Sequence, residues 1–297
     1  MSAGAAGYLA RLGASIRRSG GVLCVGLDPD PAALPAGFAS GVAGIERFAR
    51  LVVEAATPYA AAFKPNLAFF EAFGSPGIAA LERVRTAVPA EVPVIVDAKR
   101  ADIGTTAARQ AAALFDALGA DAVTASPYLG ADALEPFMGR SDRFVYVLCR
   151  TSNPGAGEFQ DLVVKAEDDA PAEPLHARVA RRAATWGARF GTVGLVVGAT
   201  APGEIAAIRA IAPELAFLVP GLGAQGGDLG ATLAAGPARA GTAGATPCGG
   251  LLVSVSRGVA GAASGGSAAD PAAAIAAAAG AWRDRLRVLE CGATAVR

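Results

Sequence analysis

The stretch VIVDAKRADIGTTAARQ, residues 94–110, places a run of β-branched apolar residues directly before a cluster of charges. The apolar run predicts a buried strand, and TTAARQAAALFDAL after it has the apolar spacing of an amphipathic helix. Between strand and helix stand four charged residues: Asp97, Lys99, Arg100 and Asp102. The stretch therefore predicts a βα unit whose strand carries charge at its carboxyl end.

The same unit recurs along the chain. Further apolar runs, each with a helical pattern after it, are VLCVGL, AAAF, DAVTA, RFVYVLC, TVGLVVGA, LAFLVP and GLLVSVS. These strands show no alternating polar face, which is typical of parallel strands covered on both sides. Roughly eight units in 297 residues predict a single α/β domain over residues 1–297, a closed (β/α)8 TIM barrel. A doubly wound open sheet is the alternative.

Two segments, near 153–174 and 236–249, fit neither helix nor strand and are rich in Gly, Pro or acidic residues. We expect them to be long loops on the side where strands lead into helices. Loops of this length are often functional.

The overall charge excludes one class of function. The chain has 26 basic and 26 acidic residues and no long basic run, so it lacks the charge pattern of a nucleic-acid binder.

The start of the chain lacks the order of basic stretch, apolar stretch and cleavage site that marks a secretory signal, and no apolar run is long enough to span a bilayer. We therefore expect a cytoplasmic protein with neither a nucleic-acid nor a membrane partner.

The cysteines and the histidine also restrict the chemistry. Cys24, Cys149, Cys248 and Cys291 are far apart and form no C-x-x-C pair, so neither a zinc site nor a disulfide framework is expected. His176 is the only histidine, and the helical pattern around it predicts a surface position. A single histidine argues against His-based metal sites and His-activated nucleophiles.

Charged residues follow three neighbouring strands. Asp28 ends the first, Lys64 the second, and Asp97 and Lys99 the third, and two of the three lysines in the chain are among them. Residues two apart on a strand project to the same side. In a barrel, the active site lies at these carboxyl ends.

Each charge has a simpler explanation when taken alone. Asp28 could cap a helix that starts with Pro29, Lys64 could be a solvated loop residue, and Asp102 could cap the helix near Gly104. Asp97 and Lys99 could form an ordinary ion pair. Grouping charges in a partly dry site costs several kcal/mol per ion unless they compensate one another, so together they predict a functional site.

The motif DAKRADIGTT resembles the Asp-x-Lys-x-x-Asp-Ile-Gly-x-Thr signature of the orotidine 5′-phosphate (OMP) decarboxylases, which complete UMP synthesis. The similarity covers nearly the whole chain, because GLDPD, FKPNLAFFEAFG, PYLGADALEPF, VLCRTSNPGAG, VVGAT, VPGLGAQGGD and VSRG follow in the order of that family's longer bacterial branch. The resemblance implies a homodimeric TIM barrel that decarboxylates OMP to UMP without a cofactor or a metal.

The resemblance also implies roles for the charges. Lys99 would donate the proton to C6 of the pyrimidine, and Asp97 would lie close to the departing carboxylate. Asp28 and Lys64 would complete an alternating charge network. Asp102 would act in the partner subunit's site.

Further positions match residues that bind substrate in the family. Ile103 and Thr106 would reach the partner subunit's site together with Asp102. Ser152 would bind the amide edge of the pyrimidine, and Gln225 and Arg257 would bind the phosphate. At Ser126 the family pattern has Asn, so no role is carried over to this position.

The phosphate site has support of its own. In this fold phosphate is usually bound by the loops after the seventh and eighth strands, and here these hold GLGAQGG and SRG. Glycines let backbone N–H groups approach an anion, and one guanidinium can bind it through two hydrogen bonds.

Three alternatives stay open. A Mg²⁺-dependent sugar-phosphate decarboxylase or aldolase of the same superfamily resembles D-x-K at the third strand, although RTSNPG and DIG argue against it. A non-catalytic phosphate-binding barrel would bind UMP without turnover. A structural or partner-binding protein would use none of these charges.

Overall fold

Eight parallel strands form a nearly closed barrel in the computed structural model, which describes residues 7–166, 172–200, 202–223, 226–263 and 270–288. The barrel strands are β1 (Leu23–Leu27), β2 (Ala62–Pro65), β3 (Ile95–Arg100), β4 (Ala122–Ala125), β5 (Phe144–Arg150), β8 (Val193–Val197), β9 (Ala216–Pro220) and β10 (Leu252–Val255). A separate antiparallel pair consists of β6 (Val163–Val164) and β7 (Glu173–Pro174).

The closure of the barrel decides between the two predicted architectures. The hydrogen-bonded order is β2-β1-β10-β9-β8-β5-β4-β3, and the end strands β2 and β3 meet at parallel bridges between Phe63 and Val94 and between Asn66 and Asp97. An open doubly wound sheet would leave these two strands as separate edges. The predicted barrel is therefore confirmed.

Helices follow the strands and cover the outside of the barrel. Those in the described residues are α1 (Tyr8–Ser19), α2 (Val42–Ala56), α3 (Leu67–Glu71), α4 (Gly74–Ala87), α5 (Gly104–Ala112), α6 (Ala131–Met138), α7 (Gly157–Gln160), α8 (Leu175–Phe190), α9 (Pro202–Ile211), α10 (Leu229–Ala235), α11 (Gly241–Gly244), α12 (Arg257–Ala260) and α13 (Pro271–Arg285). None of the helices in these ranges is long and apolar enough to cross a membrane.

The amino end of the barrel is held by apolar packing and by a buried carboxylate that pairs with partly exposed arginines. Helix α1, which the strand-helix pattern did not predict, buries Tyr8 against Tyr146, with 3.2 Å between their hydroxyl oxygens. Nearby, the Asp121 carboxylate is 3% exposed and accepts hydrogen bonds from Arg11 (2.5 Å) and from the Val94 backbone N–H (2.8 Å). In barrels of this type this end contributes stability rather than catalysis.

The two long segments lie at opposite ends of the barrel. Segment 153–174 follows β5 on the expected side, and its described part contains α7, β6 and β7. Segment 236–249 was expected on the same side, and this is wrong, because it connects α10 to the amino end of β10. There the Arg239 backbone N–H donates to the Pro213 carbonyl over 2.8 Å, next to the amino end of β9.

Two expectations about single residues are also wrong. Cys248 is disulfide-bonded, whereas Cys24 and Cys149 are free and buried. His176 is 7% exposed rather than on the surface, and its Nδ1 lies 2.9 Å from the Gln160 carbonyl oxygen. The helical pattern around His176 predicts only which face of its own helix is apolar. It does not show that α7, from segment 153–174, packs against that helix beside His176.

Candidate active site

Asp97 bridges two lysines at the carboxyl ends of β2 and β3. Its Oδ2 accepts a hydrogen bond from Lys64 Nζ over 2.7 Å, and its Oδ1 accepts one from Lys99 Nζ over 2.6 Å. The barrel closes at this point, since the bridge between Asn66 and Asp97 joins the two strands. Closure of the barrel thus brings together charges that are far apart in the sequence.

The two lysines differ in exposure. The Lys64 side chain is 9% exposed and Asp97 13%, whereas Lys99 is 51% exposed. Of these two lysines, Lys99 is therefore the more accessible to an incoming molecule.

The buried pair stays ionised at neutral pH. Burial alone would raise the pKa of Asp97, but Lys64 and Lys99 outweigh it and hold that pKa far below its usual range. Burial alone would lower the pKa of Lys64, but Asp97 and Asp28 outweigh it and the pKa is raised. Asp97 is therefore an anion and Lys64 a cation at neutral pH.

Lys99 does not continue a regular strand. Its φ is +49°, in the left-handed region, and the pairing of β3 with β4 shifts register between Val96 and Arg100. A non-glycine residue in this region costs of order 1–3 kcal/mol and persists only where its surroundings impose it. Asp97 and Lys99 do meet, but through this irregular backbone and not through the two-residue period of a strand.

Asp28 lies near Lys64 but lacks a hydrogen bond of its own. Its Oδ1 is buried and has no hydrogen-bond partner among the described residues. It does not cap a helix, because the short 3-10 helix Pro31–Ala33 is capped by Asp30, which accepts from the Ala32 backbone N–H over 2.9 Å. A buried carboxylate oxygen without a partner is costly, so it is available to a ligand hydroxyl.

Two adjoining cavities open at this end of the barrel and share Lys64, Ser152 and Pro220. One, of about 400 Å³, is lined by Asp97 and Lys99. The other, of about 240 Å³, is lined by Asp28, Gly221, Ser254, Ser256 and Arg257. The first therefore combines these charges with the apolar side chains of Leu148, Val196 and Leu218, and the second combines a carboxylate with a guanidinium and a glycine backbone.

Arg257, the first residue of α12, is exposed and lines the smaller cavity. It makes no ion pair with any residue in the described ranges. The second predicted phosphate ligand, Gln225, lies outside the described residues.

The residues predicted to serve a partner subunit lie outside both cavities. Asp102 accepts a hydrogen bond from the Ile103 backbone N–H over 2.8 Å, and the described residues contain no ion pair between Asp102 and Lys99. Ile103 is 62% exposed, and Thr106 is also exposed. Within one chain, the structure therefore does not bring Asp102, Ile103 and Thr106 to the lysines.

Ser152 lies on a loop that the predicted long segment holds in place. The Gln160 side chain accepts from the Thr151 backbone N–H (2.9 Å) and donates to the Thr151 hydroxyl (2.8 Å), which donates to Asn153 (2.6 Å). On the other side is Gly198, where a Cβ would lie 2.9 Å from the Ser152 nitrogen. The conformation of this loop thus depends on Gln160 and on the absence of a side chain at residue 198.

The sequence did not reveal two residues of this end of the barrel. Gln160 lies in a segment without periodicity, so no pattern singles it out. Thr124 lines the larger cavity but lies within an apolar run, so the pattern predicts only that it is part of a strand. Ser126, where the family pattern has Asn, begins the loop after β4 and offers its hydroxyl to the Tyr128 N–H at 3.5 Å.

Other regions offer weaker sites. A cleft of about 770 Å³ between α2 and the start of α13 is lined by Phe38, Arg47 and Asp270, and its Glu46 pairs with Arg50 and with Arg83. Its acidic and basic groups compensate each other. Within the described ranges no group of three His, Cys, Asp or Glu side chains is arranged to hold a metal ion.

Comparison with known proteins points to one family. The model of the orotidine 5′-phosphate decarboxylase / HUMPS family matches residues 21–272. Orotidine 5′-phosphate decarboxylase of Thermomicrobium roseum is 48% identical over 249 residues, covering 84% of this chain and 85% of the relative. That of Herpetosiphon aurantiacus is 44% identical over 263 residues, covering 88% and 91%. The solved structure of Leishmania donovani OMP decarboxylase has a TM-score of 0.79 and 41% identity, covering 96% of this chain and 99% of that chain.

Proposed function

The chain belongs to the orotidine 5′-phosphate decarboxylase / HUMPS family and decarboxylates OMP to UMP in pyrimidine biosynthesis, and we propose that its charge network performs this reaction without a metal or cofactor. The observation that carries the proposal is Asp97 between two lysines, of which Lys99 is half-exposed in a cavity. An ammonium held there by a buried anion is a preorganised partner for negative charge.

Lys99 acts at the carbon that loses CO₂. When the bond between C6 and the carboxylate breaks, the electron pair stays on C6, and the Lys99 ammonium stabilises the developing carbanion. Lys99 Nζ then transfers a proton to C6, which gives UMP, and regains a proton from solvent. Stabilisation of the developing charge by a preoriented group is usually the largest single contribution to the rate enhancement in such a site.

Asp97 and Lys64 keep that ammonium in place. Asp97 holds Lys99 Nζ at 2.6 Å, and Lys64 on its other oxygen keeps the carboxylate ionised. The network is therefore charged before substrate arrives, and little reorganisation accompanies the reaction.

The remaining cavity residues bind the parts of the substrate that do not react. Ser152 contacts the amide edge of the pyrimidine, Asp28 a ribose hydroxyl, and Arg257 with Gln225 the phosphate. Binding energy from the phosphate is used to order the site around the reacting ring.

The proposal includes a homodimer in which Asp102, Ile103 and Thr106 complete the partner's site. Exposed apolar side chains on the neighbouring loops support such an interface, because Ile103 is 62%, Tyr128 89% and Leu129 50% exposed. Asp102 in the partner's site would place a further anion near Lys99.

A cytoplasmic location is also part of the proposal. The free thiols of Cys24 and Cys149 agree with a reducing compartment, whereas the disulfide at Cys248 does not.

Replacing Arg257 tests the phosphate site. We expect Arg257→Ala to weaken the binding of UMP by about 10- to 100-fold, because a charge-assisted hydrogen bond contributes about 1.5–3 kcal/mol to binding. Uridine lacks the phosphate and should lose less than about threefold. Calorimetry with both ligands measures the difference, and Arg17→Ala, which removes an exposed arginine of α1, is the matched control. Equal losses for UMP and uridine would contradict the assignment.

A further inference from the structure

The Thr124 hydroxyl lies at the centre of the irregular part of β3. The side chain is almost fully buried, at 2% exposure. Its oxygen accepts hydrogen bonds from the backbone N–H groups of Ala98 (3.1 Å) and Lys99 (3.0 Å), and its O–H donates to Asp97 Oδ1 over 2.9 Å. A hydroxyl has one donor and two acceptor positions. All three are used by consecutive residues of the DAK motif.

This arrangement occurs where the pairing of the two strands changes. Val96 pairs with Val123, and the next pairing joins Arg100 to Ala125. Four steps along β3 therefore correspond to two steps along β4, and Thr124 is the β4 residue opposite the extra length. At this position the side-chain oxygen of Thr124 accepts hydrogen bonds from two backbone N–H groups of β3.

The backbone of Lys99 is the part that most needs such support. Its φ of +49° is rare for a residue with a side chain. Lys99 and Asp97 are also the two residues whose relative orientation fixes the exposed ammonium. One hydroxyl thus contacts both the strained backbone and the carboxylate.

We propose that Thr124 is a positioning residue, whose hydroxyl holds the Lys99 backbone in its left-handed conformation and orients Asp97, so that the ammonium points at the reacting carbon. This inference rests on the role proposed above for Lys99. Thr124 needs no contact of its own with substrate for this effect.

Two substitutions separate the effect of the Thr124 hydroxyl from the effect of the space that the side chain fills. Thr124→Val keeps the branched shape but removes the hydroxyl, whereas Thr124→Ser keeps the hydroxyl and loses a methyl group. We expect Thr124→Val to lower kcat by about 100-fold, the loss typical of a misplacement of about 1 Å, and to leave KM within about threefold of wild type. Thr124→Ser should restore kcat to within about tenfold of wild type.

Thr192→Val is the matched control. Thr192 is also buried, at 4% exposure, and its hydroxyl donates to the Met138 carbonyl at the amino end of the barrel. Thr192→Val makes the same chemical change far from the site. The kcat and KM of this variant should therefore stay within about twofold of wild type. A loss of kcat that followed general destabilisation would appear in this variant as well.

The outcomes separate this inference from the proposed function. If wild type converts OMP and Thr124→Val keeps its kcat, Thr124 only fills space and the inference is wrong. If wild type does not convert OMP, the proposed function itself fails. If Thr124→Val does not fold, amide hydrogen exchange of the wild type decides: the N–H groups of Ala98 and Lys99 should exchange at least about 100-fold slower than free amides, and unprotected exchange would overturn the inference.

Discussion

Lys99→Ala is expected to lower kcat for OMP by about 10⁴-fold or more while the protein stays folded. Two losses combine: about 10²-fold for the charge stabilisation of the carbanion and about 10²-fold for proton donation. UMP binding should change by less than roughly threefold, because the lysine acts mainly in the transition state. Steady-state rates and calorimetry with UMP measure the two effects.

The chain offers a matched control for this substitution. Lys165 is exposed in the segment after β5, and Lys165→Ala removes the same kind of side chain without touching the network. It should leave kcat within about twofold of wild type, since isolated surface changes have small effects. A Lys99→Ala protein with kcat within tenfold of wild type would refute the role given to Lys99.

Mixed dimers of Lys99→Ala and Asp102→Ala chains are expected to recover roughly a quarter of wild-type activity, although each variant alone is inactive. If each site takes Lys99 from one chain and Asp102 from the other, a mixed dimer has one site with both changes and one with neither. Random pairing of equal amounts makes half of the dimers mixed, each with one intact site of two. The chains are unfolded together and refolded, and mass spectrometry measures the mixed fraction.

A second mixture provides the negative control. Asp97 and Lys99 belong to the same site of the same chain, so Lys99→Ala mixed with Asp97→Asn leaves a defect in both sites of a mixed dimer. This mixture should stay as inactive as its parents. If the Asp102 mixture also stays inactive while mixed dimers are present, Asp102 works within its own subunit.

The barrel could be predicted because its strands are apolar on both faces. Such runs are recognisable without any long-range information, and all eight became barrel strands. Helix α1 was missed because it follows no strand and joins no βα repeat. The position of segment 236–249 was missed because α10 before it and α11 within it are short, so the sequence did not show where the helix ended.

The site was predictable to the extent that charge at strand ends is informative. The residues Asp28, Lys64, Asp97 and Lys99 could be selected in this way. The left-handed backbone of Lys99 and the Thr124 hydroxyl could not, because they depend on a register shift between two strands. The same holds for Gln160, which acts through Thr151 only after its segment has folded back over β5.

Metal-free decarboxylation of OMP by this charge network is tested most directly by following the loss of OMP absorbance with purified wild-type protein in excess EDTA. We expect OMP to disappear, UMP to appear in equal amount, and the rate to be the same with and without EDTA. A rate of OMP loss that EDTA abolishes and Mg²⁺ restores would contradict the metal-free mechanism. Binding of UMP without any loss of OMP would contradict it as well, because the barrel would then bind phosphate without catalysing the reaction.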